Sequence, residues 1–361
     1  MILKSTLSRL FTAGVSLAFL LLATGASAAE ELSLLTWEGY APKELVEKFE
    51  KETKIKVNVT LSNNEEMIAK LRATRGGGFD LAQPSQDRIS GPQKEYQIYQ
   101  AIDMSQVKKE LFVDSMLKAT MGNTMVGGKP FGLPHVWGTD GLIVNTAKAA
   151  GASDYSDLCD AKYAGRTSFR LKRPVLVAMA FSMGQNPFEA VKDKAAYEKL
   201  MNAVGDKLIA CKKNVKTYYP NGDALLGLLR ADEVTVAMGW DGGGWKLGKE
   251  KKEIQFLAPK SGAMGWVDTF AIPAKAKNLK AAYAWINFMM RPENSAVFTN
   301  QENYFTASKG AEKFVKADVA ANYTKSFPPA AVDNIKWYPP IDTWAEKIEG
   351  DILEKVRAAG G

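Results

Sequence analysis

Three short stretches of the chain set an aromatic ring beside a carboxylate. Trp37 precedes Glu38, Trp240 precedes Asp241, and Trp266 stands two residues before Asp268. The face of a ring attracts a cation and a carboxylate completes its charge, so such pairs suit an organic ammonium group. Catalytic chemistry has fewer residues to work with. The one histidine is His135, and a Ser-His-Asp or Cys-His site would rest on that single ring. GxSxG, HExxH and CxxC patterns are missing from the sequence. The stretch Gly122 to Lys129 (GNTMVGGK) approaches a phosphate loop. Its spacing is one residue too long, and Pro130 stands where a hydroxyl would bind magnesium, so it reads as a turn. No catalytic residue, cofactor or metal ligand is expected. A secreted hydrolase would have to use two of Glu38, Asp241 and Asp268 as its acid pair, and nothing in their spacing requires it.

The elements that position these pairs follow from periodicity. Leu32 to Trp37 is a strand-like apolar run. Pro42 opens a helix with Leu45, Val46 and Phe49 on one face. Ile55 to Val59 alternates as a strand. Glu65 to Arg75 is helical, with Met67, Ile68 and Leu71 inward, and the glycines 76 to 78 end it. Phe79 to Ala82 is a third strand, stopped at Pro84. This β-α-β-α-β order implies a mostly parallel sheet covered by helices, whose ligands lie beyond the carboxyl ends of the strands. Trp37 to Tyr40 and Pro84 to Asp87 occupy two such ends. Further on, Gly141 to Asn145 and Val234 to Trp240 read as strands, the latter running out into Asp241 and Gly242 to Gly244. Leu133 to Asp140 and Thr269 to Pro273 read as crossovers between two units. Leu279 to Met290 and Ile341 to Ala358 are amphipathic helices.

Composition sets the compartment. The chain has 361 residues, 46% hydrophobic and 24% charged, which is ordinary globular usage. Lys4 and Arg9 precede an apolar run from Leu10 to Ala23, and Ala26-Ser27-Ala28 follows as a small-residue cleavage site. That is the pattern of a secretory signal peptide over residues 1–28, too short in its apolar part for a membrane span. Its loss takes two cations from a net charge of +7. The modest surplus left, without any run of five or six basic residues, disfavours nucleic acid as a partner. Cys159 and Cys211 are the only cysteines, and an oxidising compartment permits one disulfide between them.

The sequence resembles the periplasmic spermidine/putrescine-binding proteins of ABC importers over nearly the whole chain after the signal. The markers are TWEGYAPKELVEKFEKETKIKV from Thr36, FDLAQPS from Phe79, LPHVWGTDGLIVN from Leu133, VTVAMGWDG from Val234, GWVDTFAIPAKAKN from Gly265 and INFMMRPE from Ile286. The resemblance implies an α/β, two-lobed periplasmic-binding-protein fold with a ligand cleft between lobes joined by crossing hinge strands. Lobe 1 would take residues 29–137 and 269–303, and lobe 2 residues 138–268 and 304–361. Closure would be a hinge motion. The implied function is capture of a small amine-bearing solute for inner-membrane ABC permease subunits, by a monomer working in the periplasm.

The family's site residues map onto Trp37, Tyr40, Ser85, Trp240, Trp266, Asp268 and Tyr304, with Asp268 on the primary amine. Glu38 stands one residue before the family's acid, Asp87 replaces a family tyrosine, and Asp241 follows Trp240. One departure matters most. Where the family presents acids on the second lobe, this chain reads Ser168-Phe169-Arg170-Leu171-Lys172-Arg173. An arginine grips a carboxylate with two parallel hydrogen bonds. Arg170 therefore keeps open a zwitterionic ligand such as γ-aminobutyrate or a betaine. Tyr218-Tyr219 resembles the tyrosine pair of ferric-ion-binding relatives and keeps iron as a lesser alternative.

Overall fold

The structure, a computed structural model, describes residues 30–359. The signal-peptide residues therefore lie outside the described part. Strand β1 (Glu31–Thr36) is the centre of a parallel three-stranded sheet, between β2 (Lys56–Leu61) and β3 (Leu81–Ala82). Leu32, Leu34 and Leu35 of β1 are fully buried, as a central strand covered on both faces requires. Helix α1 (Lys43–Thr53) buries Leu45 and Phe49, and α2 (Asn64–Ala73) buries Met67, Ile68 and Leu71. The Asn63 side chain accepts the Glu66 amide at 3.1 Å and caps α2. Pro42 sits just before α1 rather than within it. The third strand is shorter than its apolar run; just before it the Asp80 amide donates to the Ser33 carbonyl at 2.8 Å, and the Asp80 carboxylate accepts amides from Ser33, Lys277 and Asn278.

The second sheet has eight strands. Its path runs Lys336–Trp337, Met264–Phe270, Leu133–Asn145, Val236–Trp240, Thr167–Phe169, Val215–Tyr218, and Ile254–Leu257 and Phe305–Thr306 also pair with Leu133–Asn145. The stretch expected as a crossover followed by a strand is one continuous strand of 13 residues. It pairs with Met264–Phe270 along its first half and with Val236–Trp240 along its second. Past Phe270 the return strand leaves this sheet. Ala271 bridges to Ala82 and Ile272–Pro273 pairs with Tyr99–Gln100. Two segments thus pass between the sheets, at the places where the sequence puts its crossovers.

Gly242 to Gly244 form the first turn of a helix, Asp241–Glu250, rather than a loop. The absence of a side chain is used for packing there, since a Cβ on Gly242 would come within 2.6 Å of the Tyr304 ring. The GNTMVGGK stretch is a turn as read: Met125–Val126 pairs with Lys129–Pro130 across Gly127 and Gly128, both at positive φ. Cys159 and Cys211 are joined across 52 residues, with Cα atoms 4.8 Å apart.

Candidate functional site

A cavity of about 520 Å³ opens between the two sheets. It is walled by the loops after β1, β2 and β3 on one side. On the other side stand the residues after Thr167–Phe169 and the end of Val236–Trp240, with the hinge strands forming its floor. Ten of the residues singled out in the sequence line it: Trp37, Glu38, Tyr40, Ser85, Asp87, Arg170, Trp240, Trp266, Asp268 and Tyr304.

Asp268 is the best-built group. It lies on the return strand one residue before a bulge, and it is almost fully buried. The Tyr40 hydroxyl donates to one carboxylate oxygen at 2.7 Å and the Ser85 hydroxyl to the other at 2.6 Å. Asn64 donates to the Ser85 hydroxyl at 2.9 Å and fixes it in turn. Burial pushes the Asp268 carboxyl up to about 7 against the pull of those two hydroxyls. The Trp37 indole donates to the Gln83 carbonyl at 2.7 Å, so its ring is held at the wall. Trp266 and Tyr304 pack edge to face, with ring centroids 5.5 Å apart.

Asp241 departs from expectation. It is buried behind the wall, where its carboxylate accepts the Thr139 amide and hydroxyl at 2.8 and 2.9 Å and the Gly242 amide at 2.7 Å. At the start of a helix its own turn supplies the donor and the strand beside it the other two. Burial still pushes it up to about 7. Asp87 faces the cavity but is committed to Arg173, 2.8 Å away, whose other side meets Glu349 at 3.0 Å. Glu38 is exposed at the mouth, and its carboxyl is raised by partial burial and by Asp223 across the cleft.

The basic stretch is sorted by partners that are remote in sequence. Arg173 has Asp87 and Glu349, and Lys172 reaches Glu65 at 3.4 Å. Arg88 meets Glu346 at 2.7 Å and Glu65 at 3.3 Å. Burial would raise Glu65, but Arg88, Lys172 and Arg170 outweigh it and hold the carboxyl at about 2. Arg170 has a different partner. Its guanidinium lies over the Trp240 ring, 4.9 Å from the centroid, and among the described residues it makes no ion pair. Residues that the sequence reading missed on the cavity wall include Asp140, Glu65, Asp223 and Glu302. Asp140 carried a signal, as an acid inside an otherwise apolar strand.

The single histidine is a packing residue. His135 is buried, stacks on Phe270 at 4.2 Å and shares a hydrogen bond with Gln83 at 2.6 Å. Burial holds its pKa at about 3, so the ring is neutral. The adjacent tyrosines do not make an iron site. Tyr219 donates its hydroxyl to the Met238 carbonyl at 2.8 Å, Tyr218 packs on Phe169, and neither lines the cavity.

Two α/β lobes with a walled cavity at their junction define a two-lobed binding protein. The family described as bacterial extracellular solute-binding protein matches residues 44–324, and the chain belongs to it, among the spermidine/putrescine-binding periplasmic proteins. The "Spermidine/putrescine-binding periplasmic protein 1" of Haemophilus influenzae is 32% identical over 302 residues, covering 81% of this chain and 80% of that protein. The "Spermidine/putrescine-binding periplasmic protein" of Escherichia coli is 27% identical over 348 residues, 93% of this chain and 96% of the other. A Listeria monocytogenes structure provisionally described as a spermidine/putrescine ABC transporter superposes with a TM-score of 0.80 at 25% identity. It covers 92% of this chain and 100% of its own. The protein is thus a solute-binding component of an ABC importer of the polyamine-binding family. Its relatives are periplasmic transport proteins rather than enzymes, and they act with membrane permease components. Among the described residues no helix is long and apolar enough to cross a membrane.

Proposed function

We propose that this chain captures a small solute through a primary ammonium group held at Asp268, and delivers it to inner-membrane ABC permease subunits. One observation carries the reading. Asp268 is a buried carboxylate fixed by two hydroxyls and set in an aromatic cavity. An ammonium supplies the charge that such a carboxylate lacks, and ring faces tolerate its alkyl stem. In this reading the residues 1–28 are cleaved on export and the protein works as a periplasmic monomer. Its lobes divide as 29–137 with 269–303, and 138–268 with 304–361. Putrescine and spermidine, named for the relatives, are the first candidates.

A second reading is an amino-carboxylate such as γ-aminobutyrate, or a betaine. It is favoured by Arg170, a cavity guanidinium with a ring face but no carboxylate. Thermal unfolding of the purified protein with putrescine, spermidine, γ-aminobutyrate and glycine betaine tests both. A ligand at a hundred times its dissociation constant adds about 2.7 kcal/mol of stability. A shift with any primary amine that disappears in Asp268→Asn supports the ammonium pocket. Equal shifts in wild type and variant overturn it.

A further inference from the structure

Two acids meet at the mouth of the cavity from opposite sides. Glu38 stands in the turn from Trp37 to Tyr40, which the Tyr40 amide closes by donating to the Trp37 carbonyl at 3.2 Å, with Gly39 at a φ of 82°. The turn is anchored twice, since the Trp37 indole donates to the Gln83 carbonyl and the Tyr40 hydroxyl to Asp268. Asp223 lies in the first turn of the helix Gly222–Arg230, which packs beside Val236–Trp240 of the second sheet. Both acids line the cavity, and their side chains are in hydrogen-bonding contact.

Two carboxylates in such contact repel when both are ionised and bind each other when they share one proton. The surroundings leave that conflict in place. Glu302 lies against the turn that carries Glu38, where a Cβ on Gly39 would come within 3.1 Å of its carboxylate oxygen. Lys246, from the helix Asp241–Glu250, is the cation that reaches the group, and it stands 3.6 Å from Glu302. Arg230, at the far end of the helix that carries Asp223, is committed to Glu250 at 2.9 Å. Three acids therefore face one lysine. The partial positive charge of a helix start favours the ionised form of Asp223, so the shared proton belongs to Glu38. Elsewhere across the cleft the pairs are of opposite charge: Asp87 with Arg173, Glu65 with Lys172, and Glu346 with Arg88.

We propose that Glu38 and Asp223 form a proton-controlled latch across the cleft: with one shared proton they hold its two sides together, and with both ionised they push them apart. The latch acts on the empty protein, so it stands apart from the reading of Asp268 as an ammonium holder. Closure takes up a proton, and a lower pH favours the closed form. Partial burial, Asp223 and Glu302 raise the Glu38 carboxyl against the pull of Lys246, which is the direction the latch needs.

Small-angle X-ray scattering of the purified, ligand-free protein at about pH 5.5 and about pH 8, at constant salt, tests this in wild type, Glu38→Gln and Asp223→Asn. EDTA in the buffer keeps a divalent cation from replacing the proton. A glutamine or asparagine amide donates to the facing carboxylate without a titrating proton, so both variants should be compact at both pH values. Wild type should match them at the lower pH and show a larger radius of gyration at the higher. Asp140, Asp241 and Asp268 titrate near this range as well, so the gap between wild type and variant at the higher pH decides. There Glu38→Gln should also bind putrescine about threefold more tightly than wild type, because less of the binding energy goes into closing the cleft. That advantage should vanish at the lower pH. Equal radii for wild type and both variants at the higher pH would overturn the latch. So would a loss of putrescine affinity in Glu38→Gln at both pH values, since Glu38 would then be a ligand contact. A latch that behaves as expected while Asp268→Asn leaves amine binding unchanged would sink the ammonium pocket alone.

Discussion

Ser85 and Asp268 are joined twice. Their backbones form a β-bridge, and the Ser85 hydroxyl donates to the Asp268 carboxylate at 2.6 Å. Ser85 follows the last strand of the first sheet, while Asp268 stands just before the bulge in the ladder of the second. The carboxylate at the floor of the cavity is thus made by the junction of the two sheets and belongs to neither alone. A change in the angle between them moves the donors on Asp268 directly.

Tyr40→Phe should weaken primary-amine binding. The phenol donates to Asp268 at 2.7 Å, and its loss removes one hydrogen bond to a charged group. Such a bond is worth about 1.5–3 kcal/mol, or roughly ten- to a hundredfold in affinity. The loss should be larger at pH 6 than at pH 8, because without the donor the carboxyl holds its proton to higher pH. Calorimetric titration at the two pH values checks this.

Asp140, Asp241 and Asp268 are each pushed by burial to about 7 from an ordinary value of 3.8. The ligand-free native state therefore binds more protons than the unfolded chain between about pH 4 and pH 7. Stability falls with rising pH wherever the native state binds more protons, so these groups stabilise the empty protein fully below about pH 4 and lose that contribution through about pH 7. A cationic ligand acts the other way, since it needs ionised carboxylates. Melting temperature without ligand should fall from pH 5 to pH 8, while putrescine affinity rises. Protons should be released on binding, which titrations in buffers of different ionisation enthalpy would measure.

Arg173→Ala should destabilise the fold. It leaves Asp87 and Glu349 buried without their cation, and the hydroxyl of Tyr197, 2.5 Å from Glu349, cannot replace it. Removing one partner of a buried pair costs about 3–5 kcal/mol. Urea unfolding should show the loss, and the triple variant Arg173→Met, Asp87→Asn, Glu349→Gln should regain part of it.

Gly138→Ala probes the floor of the cavity. The added Cβ would meet Trp266 at 2.6 Å and Asp241 at 2.9 Å. Overpacking of this kind costs about 1–3 kcal/mol. The indole should be lifted from the strand, with a shift of tryptophan emission and weaker ligand binding. An unchanged emission maximum and affinity would show that the ring has room to spare.

Local patterns carried much of this in the sequence. The inward positions of α1 and α2, the aromatic loop after β1 and the two crossings each depend on residues close in the chain. What stayed hidden depends on register and on distant partners. Asp241 looked like a cleft acid beside Trp240, but Thr139, 102 residues earlier, claims it. Arg170, Lys172 and Arg173 looked alike, yet Glu349, 176 residues on, takes Arg173 and a ring takes Arg170. Asp140 is visible as an acid in LPHVWGTDGLIVN, but its relation to Asp268 exists only once the two strands are aligned.

The helix Thr343–Ala358 joins the two sides of the cleft by charge. Glu346 and Glu349, one turn apart, supply carboxylates to Arg88 and Arg173, which come from the two sides of the cleft. A nascent chain that stops before this helix has both guanidiniums in place and lacks two of the acids that neutralise them. Without the helix Arg88 keeps Glu65 and Arg173 keeps Asp87, so the cleft carries two fewer negative charges. The final helix thus acts as a tie between the two sides of the cleft, one element whose two carboxylates are shared between them.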